Sequence, residues 1–232
     1  MSIDRIRGSV NLPLTVEGHM QAHDLAHDIA RKGGLHHITT SDMTRTQQTA
    51  MPIASASGAT ISVNPKLRDM AMGVFEGHKS EDVIPEINKY ITSKPNEPLP
   101  GKGIQSTTLG ESFNAYKGRL LPTVAAEMHR VAANPDEKRG LVINRRSLKT
   151  ISAWLKAGAK PSLETDTKEA TGFDKHESTS PASVHRINGN AIEDVDTKSP
   201  EPLKGGVYLI RHGVTAWNKE SSIADNKDKN ES

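Results

Sequence analysis

The chain has 232 residues, of which 34% are hydrophobic and only 3% aromatic, enough for a single domain with a mostly aliphatic core. Its 30 basic and 28 acidic residues leave a net charge of +2, which gives no indication of a nucleic-acid or membrane-surface partner. The absence of cysteine excludes disulfides, thiolate metal sites and cysteine nucleophiles. The opening residues, MSIDRIRGSV, lack the apolar centre of a signal peptide, and no apolar run is long enough for a membrane span. We therefore expect a cytoplasmic protein.

Helices and strands are predicted to alternate along the chain. Helices are predicted at 15–32, about 46–57, 80–92, after Gly110, and at about 146–157. Strands are predicted at 35–40, 60–63, 140–143, 182–187 and 207–210. This alternation predicts an α/β fold, a three-layer α/β/α sandwich around a mostly parallel central sheet.

The composition predicts one domain, residues 1–232, with distinct parts. Residues 1–187 are expected to form the main body, with 78–110 as a cap insertion over the site. Residues 188–206 are expected to be a polar linker, and 219–232 a charged, mobile tail. Residues 207–218 contain the last predicted strand and the motif that follows it.

The most specific motif follows that strand, where Val207–Ile210 leads directly into Arg211, His212 and Gly213. The carboxyl edge of the sheet is where an α/β fold presents its ligand site. An arginine there can bind a phosphate through two hydrogen bonds, and a neutral histidine can attack phosphorus. Gly213 is expected to let the backbone approach the oxyanion, and Thr215 and Asn218 to donate hydrogen bonds.

Together with other blocks, this motif resembles the histidine phosphatase superfamily, the phosphoglycerate mutase-like clan, whose hallmark is LIRHGxTxxN. The further blocks are RIRG at 5–8 with PLTVEGHMQA at 13–22, SDMTRTQQTA at 41–50, LRDMAMGVFEG at 67–77, and Gly110-Glu-Ser112 followed by Arg119. Five blocks in one chain are far more specific than any single motif.

The resemblance implies a phosphoryl-transfer site at the carboxyl ends of the strands that end at Ile210, Ser41 and Ile143. It makes His212 the nucleophile that becomes phosphorylated, and Arg211 and Arg45 the groups that neutralise the phosphoryl oxygens. Neighbouring arginines should lower the pKa of His212 and keep it neutral. Asp69 takes the position of the proton donor, with Glu76 a weaker alternative.

The remaining site residues assigned from the sequence are expected to contact the substrate. They are Gly213, Thr215, Asn218, Arg7 and Arg145. The basic cluster that contains Arg145 and Arg146 is interpreted as the solvated start of a helix and not as a nucleic-acid contact.

One position departs from the family pattern, because Asn144 stands where the family carries a second histidine. An asparagine offers an amide donor to a phosphate oxygen, but it has no positive charge and no proton to transfer. Three explanations are open: a substitution introduced to trap a complex, a natural weak enzyme, or a pseudoenzyme that binds phosphate esters. Because Arg211, His212, Arg45 and Asp69 persist, we favour a phosphatase scaffold with lowered activity.

The order of the blocks is rotated, since the Arg-His-Gly strand comes last in this chain and first in the family. We interpret this as a circular permutation. The alternatives are a second, truncated copy of the domain, or a strand that completes the site of a neighbouring subunit.

The expected activity is metal-independent hydrolysis of a small phosphomonoester through a phosphohistidine, with no cofactor, no nucleic-acid partner and no membrane partner. His19, His23 and His27 recur at helical spacing, but a polar helix face explains them better than a metal site, so we expect no metal. A phosphoglycerate mutase-type phosphotransfer and a non-catalytic phosphate-binding module are the alternatives. The sequence leaves the physiological substrate and the oligomeric state open.

Overall fold

The computed structural model describes residues 4–102, 109–160 and 180–218. In chain order its elements are α1 (Val16–Arg31), β1 (His37–Thr40), α2 (Thr44–Ser57), β2 (Thr60–Val63), α3 (Ser80–Ser93), α4 (Phe113–Ala133), β3 (Lys138–Ile143), α5 (Arg145–Lys156), β4 (Val184–Asn188), β5 (Ala191–Asp194) and β6 (Gly206–Arg211). Each element lies within a few residues of its predicted position, except β5, which was not predicted. The predicted tail, 219–232, and residues 103–108, near the end of the predicted cap, lie outside the described residues.

The six strands form one sheet in the order β2-β1-β3-β6-β4-β5. Strands β2, β1, β3 and β6 are parallel, whereas β4 runs antiparallel to both β6 and β5. This confirms the predicted α/β fold with a mostly parallel sheet. The carboxyl ends of β1, β3 and β6 therefore meet at one edge, as the site requires.

Helices cover both faces of the sheet, as alternate residues of β3 show. Leu141 and Ile143 belong to a hydrophobic cluster that contains apolar residues of α3, α4 and α5. Val142, between them, packs in a second cluster with residues of α1 and α2. Because successive side chains of a strand point to opposite faces, the two clusters are the two layers of core on either side of the sheet.

Strand β6 lies in the interior of the sheet, between β3 and β4, and all six of its residues are buried. Its register places Ile143 of β3 opposite Arg211. The strand that carries the Arg-His-Gly motif is thus part of the central core of the same chain.

The segment 188–206, predicted as a polar linker, contains strand β5 and so is not a linker throughout. Gly189, at a φ of +56°, makes the tight turn after Asn188, and β5 pairs back on β4. Gly189-Asn190 is the two-residue turn of this hairpin, a pair that favours such turns, and the strand that follows it is mostly exposed. The chain then returns along the end of α1, where Lys32 donates to Ser199.

None of the helices within the described ranges combines the length and the apolar character needed to cross a membrane.

Candidate active site

A small cavity of about 60 Å³ opens at the carboxyl edge of the sheet, beside the ends of β3 and β6. Five arginines and two aspartates dominate its lining, which consists of Asp4, Arg5, Ile6, Arg7, Gly8, Asp69, Met72, Ser80, Arg145, Arg146 and Arg211. A larger cavity, about 710 Å³, lies between α5 and the β4–β5 hairpin, but it contains none of the predicted site residues. The arginine-lined cavity is the one suited to an anion.

His212 follows the last residue of β6 and is only 1% exposed. Its Nδ1 lies 2.7 Å from the carbonyl oxygen of Gly213. Because a carbonyl only accepts, Nδ1 carries the proton, and Nε2 keeps its lone pair. Nε2 has no hydrogen-bond partner among the described residues.

The pKa of His212 lies well below its usual 6.5, because burial disfavours the charged ring and the charges of Arg45, Arg7 and Arg211 repel a proton. The ring is therefore neutral at neutral pH, as predicted. An unprotonated, unpartnered Nε2 is the form of histidine that acts as a nucleophile.

The arginines around the cavity carry more positive charge than their surroundings neutralise. Burial, together with repulsion from Arg7 and Arg145, lowers the pKa of Arg211 to about 9. Burial also lowers the pKa of Arg7, against the attraction of Asp4 and Asp69. Both side chains are still protonated at pH 7, so an anion in the cavity would relieve their mutual repulsion.

Asn144 is the residue between β3 and α5, and it is 2% exposed. Its Oδ1 accepts a hydrogen bond from Nε of Arg45 at 3.3 Å. This contact turns Nδ2 away from Arg45, and Nδ2 has no hydrogen-bond partner among the described residues. A buried amide donor without a partner is costly, so Nδ2 is suited to bind a ligand oxygen.

Arg45 is fully buried and lies outside the lining of the cavity. Its guanidinium donates to the carbonyls of Val10 at 2.8 Å and Gly8 at 3.3 Å, in addition to Asn144. Burial and repulsion from Arg7 lower its pKa to about 10. Arg45 therefore acts on His212 through its charge and orients Asn144. The phosphoryl contact predicted for Arg45 stays a prediction.

Asp69 lines the cavity, and Arg119 of α4 holds the backbone of Asp69 in place. Arg119 donates to the carbonyls of Lys66, Arg68 and Asp69, and it is paired with Glu111. The Asp69 charge acts on the neighbouring cations, where it favours the charged forms of Arg7, Arg45 and Arg146.

Glu76, the weaker candidate for the acid, lies outside the lining and is fully buried. Its Oε1 accepts hydrogen bonds from Ser9 and from the Met72 amide. These contacts let Glu76 hold the backbone at Ser9 and Met72. Of the two candidate acids, Asp69 is therefore the one that lines the cavity, where Asp4 also lies.

Residues 2–168 match the family model for the histidine phosphatase superfamily, branch 1. The chain belongs to this superfamily. The resemblance inferred from the sequence blocks is thereby confirmed. The match ends before β4 and β6, so the circular permutation stays a proposal.

Among relatives of this histidine phosphatase superfamily chain is the protein of Yersinia enterocolitica described as "Probable phosphoglycerate mutase GpmB". It is 45% identical over 116 residues, which cover 50% of this chain and 54% of that protein. The chain thus spans about half the length of the curated relatives it matches.

Solved structures share the fold. The alpha-ribazole phosphatase from Shigella flexneri matches with a TM-score of 0.54 and 19% identity, over 86% of this chain and 90% of that one. A mycobacterial glucosyl-3-phosphoglycerate phosphatase in complex with inorganic phosphate matches with a TM-score of 0.51 and 20% identity, over 73% and 78% of the two chains.

The structure brings most of the predicted site residues of this superfamily member together. Arg7, Asp69, Arg145 and Arg211 line the cavity. His212 and Asn144 are buried outside the lining. The His212 ring is close enough to the lining residues Arg7 and Arg211 for their charges to lower its pKa. Thr215 is buried, and its hydroxyl accepts from Nη1 of Arg7 at 3.4 Å. Asn218 lies in a short 3₁₀ turn, Ala216–Asn218, and its side chain is outside the described part.

The structure shows a further reason for glycine at position 213. A Cβ on this residue would lie 2.6 Å from the carbonyl oxygen of Gly18 in α1. Glycine is therefore required by the close packing of α1 against the nucleophile loop, residues 212–215, and the approach of its backbone to an oxyanion stays a prediction.

Arg146 was interpreted as part of a solvated helix start, and this interpretation is wrong. It is 9% exposed and lines the cavity, where burial lowers its pKa. The spacing of Arg146, Thr150 and Ala153, all buried on α5, was the signal that would have found it. Gln21 and Thr49 were assigned no role, although they lie in the sequence blocks 13–22 and 41–50. They accept from the amides of Val214 and Gly213, respectively.

Within residues 4–102, 109–160 and 180–218, no group of three or more histidine, cysteine, aspartate or glutamate side chains is placed to hold a metal ion. Of the three helical histidines, His23 and His27 are exposed on α1, and His19 is half-buried.

Proposed function

We propose that this protein is a metal-independent phosphomonoester hydrolase that works through a phosphohistidine on His212. One observation carries the proposal: the neutral, buried ring of His212 keeps Nε2 without a partner beside a cavity with excess arginine charge. A nucleophile and a charged receptor for three phosphoryl oxygens are what phosphoryl transfer requires.

In the first step, Nε2 of His212 attacks the phosphorus and the bond to the ester oxygen breaks. Arg211 and Arg7 neutralise the equatorial oxygens as charge builds on them. Asp69 gives a proton to the leaving alkoxide, which requires that its carboxyl take up a proton from solvent before this step. The nitrogen–phosphorus bond that forms stores the phosphoryl group on the enzyme.

In the second step, water attacks the phosphohistidine. The Asp69 carboxylate takes a proton from that water, the nitrogen–phosphorus bond breaks, and inorganic phosphate is released. Asp69 returns to the protonated form, so the cycle closes without a metal ion. The substrate is a small phosphomonoester, since the cavity at the nucleophile encloses only about 60 Å³.

Asn144 lowers the rate in this scheme. It supplies one neutral donor, Nδ2, at the position of the second family histidine, and one oxyanion donor is worth on the order of a hundred- to a thousandfold in rate. Arg145 and Arg146, the next two residues, line the cavity and supply positive charge there.

A phosphoglycerate mutase-type transfer is the second candidate, and the 45% identity to the Yersinia protein favours it. The same residues would return the phosphoryl group to an acceptor hydroxyl instead of to water, which requires better exclusion of water. A non-catalytic phosphate-binding module is the third candidate, favoured by Asn144.

The test is turnover of an aryl phosphate by purified protein in the presence of EDTA. We expect slow, chelator-resistant release of phosphate and an acid-labile phosphoprotein. Both should disappear in His212→Ala and persist in His23→Ala, which removes an exposed histidine of α1.

Strict dependence on a divalent ion would overturn the phosphohistidine mechanism. Phosphate or vanadate binding without any turnover would instead establish the binding module. Transfer between the hydroxyls of 2- or 3-phosphoglycerate, faster than phosphate release, would establish the mutase.

A further inference from the structure

The nucleophile loop is anchored by two side chains from helices that precede it by well over a hundred residues. The amide of Gly213 donates to Oγ1 of Thr49 in α2 at 3.2 Å, and the amide of Val214 donates to Oε1 of Gln21 in α1 at 3.1 Å. Thr49 in turn donates to the carbonyl of Arg45.

The contact of Gln21 is made to the same peptide group that orients His212. The carbonyl of Gly213 and the amide of Val214 belong to one planar unit, in which C=O and N–H point in opposite directions. His212 Nδ1 donates to the carbonyl end, and Gln21 accepts from the amide end. A rotation of this peptide plane would break both hydrogen bonds together.

This peptide needs an anchor because the residue before it is glycine. Gly213 has no Cβ to restrict its backbone, and Gly18 lies too close for any larger residue. The orientation of the Gln21 amide is itself fixed, since its Nε2 donates to Glu17 at 3.4 Å and so turns Oε1 toward Val214.

We propose that Gln21 is a positioning residue for His212: by holding the Gly213–Val214 peptide, it keeps the ring in the tautomer with its proton on Nδ1. This inference rests on the proposed function only for its effect on rate. In the other tautomer the proton sits on Nε2, which removes the lone pair that attacks phosphorus. Polarisation of the peptide by Gln21 also strengthens its carbonyl as an acceptor.

The test compares Gln21→Met, which removes the acceptor, with Gln21→Glu, which keeps an acceptor oxygen of the same reach although it loses the donor to Glu17. Gln47→Met, at a half-buried glutamine of α2, is the matched control. Long-range ¹H–¹⁵N spectra report the tautomer of His212, assigned by comparison with His212→Ala. We expect only the Nδ1–H form in the unsubstituted protein, Gln21→Glu and Gln47→Met, and a mixture of tautomers in Gln21→Met.

Aryl phosphate kinetics give the second readout. We expect kcat of Gln21→Met to fall about tenfold with little change in KM, as is usual when an outer hydrogen-bond partner of a functional histidine is lost. If Gln21→Met does not fold, Gln21→Ser, which is too short to reach Val214, gives the same test.

An unchanged tautomer in a folded Gln21→Met protein would overturn the proposal, as would an equal effect of Gln47→Met. A tautomer shift in a protein without phosphatase activity would support the positioning role and reject the proposed function, so the two failures are distinguishable.

Discussion

At the scale of single residues, the proposed activity depends most on Asn144, which replaces the second histidine of the family. Its Oδ1 is used by Arg45, and its Nδ2 is buried without a partner among the described residues. This polarity matters, because the amide presents a donor, and not an acceptor, on the side that Arg45 leaves open. The position is therefore electrostatically prepared for an anion, although it lacks the charge of a protonated imidazole.

We expect Asn144→His to raise kcat for an aryl phosphate on the order of a hundredfold, equivalent to about 3 kcal/mol, by restoring the family's second donor. KM should change less, because Arg211 and Arg7 supply most of the attraction for the bound phosphate. Steady-state kinetics check both values.

Asn144→Asp is the matched control, since it has the same shape but replaces the donor with a charged acceptor. It should abolish turnover and weaken the thermal stabilisation that inorganic phosphate gives. If Asn144→His and Asn144→Asp both behave like the unsubstituted protein, Nδ2 does not contact the phosphoryl group.

At the scale of elements, the site depends on the packing of α1 against the nucleophile loop. Helix α1 begins where Thr15 caps it by accepting from the Gly18 amide, and the Thr15 amide donates to the Val214 carbonyl. The helix therefore starts against the loop that follows His212. Glycine at 18 and 213 allows the two backbones to approach each other.

Gly18→Ala should disrupt this packing, because a Cβ at 18 would lie 2.1 Å from the Val214 carbonyl oxygen. We expect a loss of about 1–3 kcal/mol in the free energy of unfolding, as for other overpacked sites, together with lower activity. Urea unfolding and aryl phosphate turnover measure the two effects.

Gly118→Ala in α4 is the control, since a Cβ there would meet no atom within 4 Å. It should raise the free energy of unfolding by roughly 0.5–1 kcal/mol, because alanine is the better helix former. Equal destabilisation by the two substitutions would show that the α1 contact is not specific.

At the scale of the whole molecule, the site is assembled from segments far apart in the chain. Arg7 contacts Thr215, and Leu14 forms a bridge with Thr215, so the first described segment lies beside the nucleophile loop. Strand β6 pairs with β3 and β4 of its own chain. The circular permutation stays a proposal, and a strand exchanged between subunits is the alternative.

Co-refolding of two inactive variants tests this directly. His212→Ala removes the proposed nucleophile, which follows β6, and Asp69→Asn removes the proposed acid in the main body. If each site is completed within one chain, every site in a mixture of the two variants lacks one of these groups. We expect the mixture, unfolded in urea and refolded together, to stay inactive, while the unsubstituted protein recovers activity under the same conditions. Recovery of activity in the mixture would establish strand exchange.

The sequence by itself determined the order of helices and strands, because hydrophobic periodicity, glycine and proline are local signals. The family blocks also predicted the site residues His212, Arg211 and Asp69, because a nucleophile, a cation and an acid can be recognised from the residue type. Only the tertiary structure decided that Arg45 is held by the Gly8 and Val10 carbonyls, outside the cavity lining, and that Arg146 lines the cavity. Likewise, the anchoring of the nucleophile loop joins residues 164 and 193 positions apart. Such contacts depend on where the packed layers bring the side chains, and no local pattern in the sequence encodes that placement.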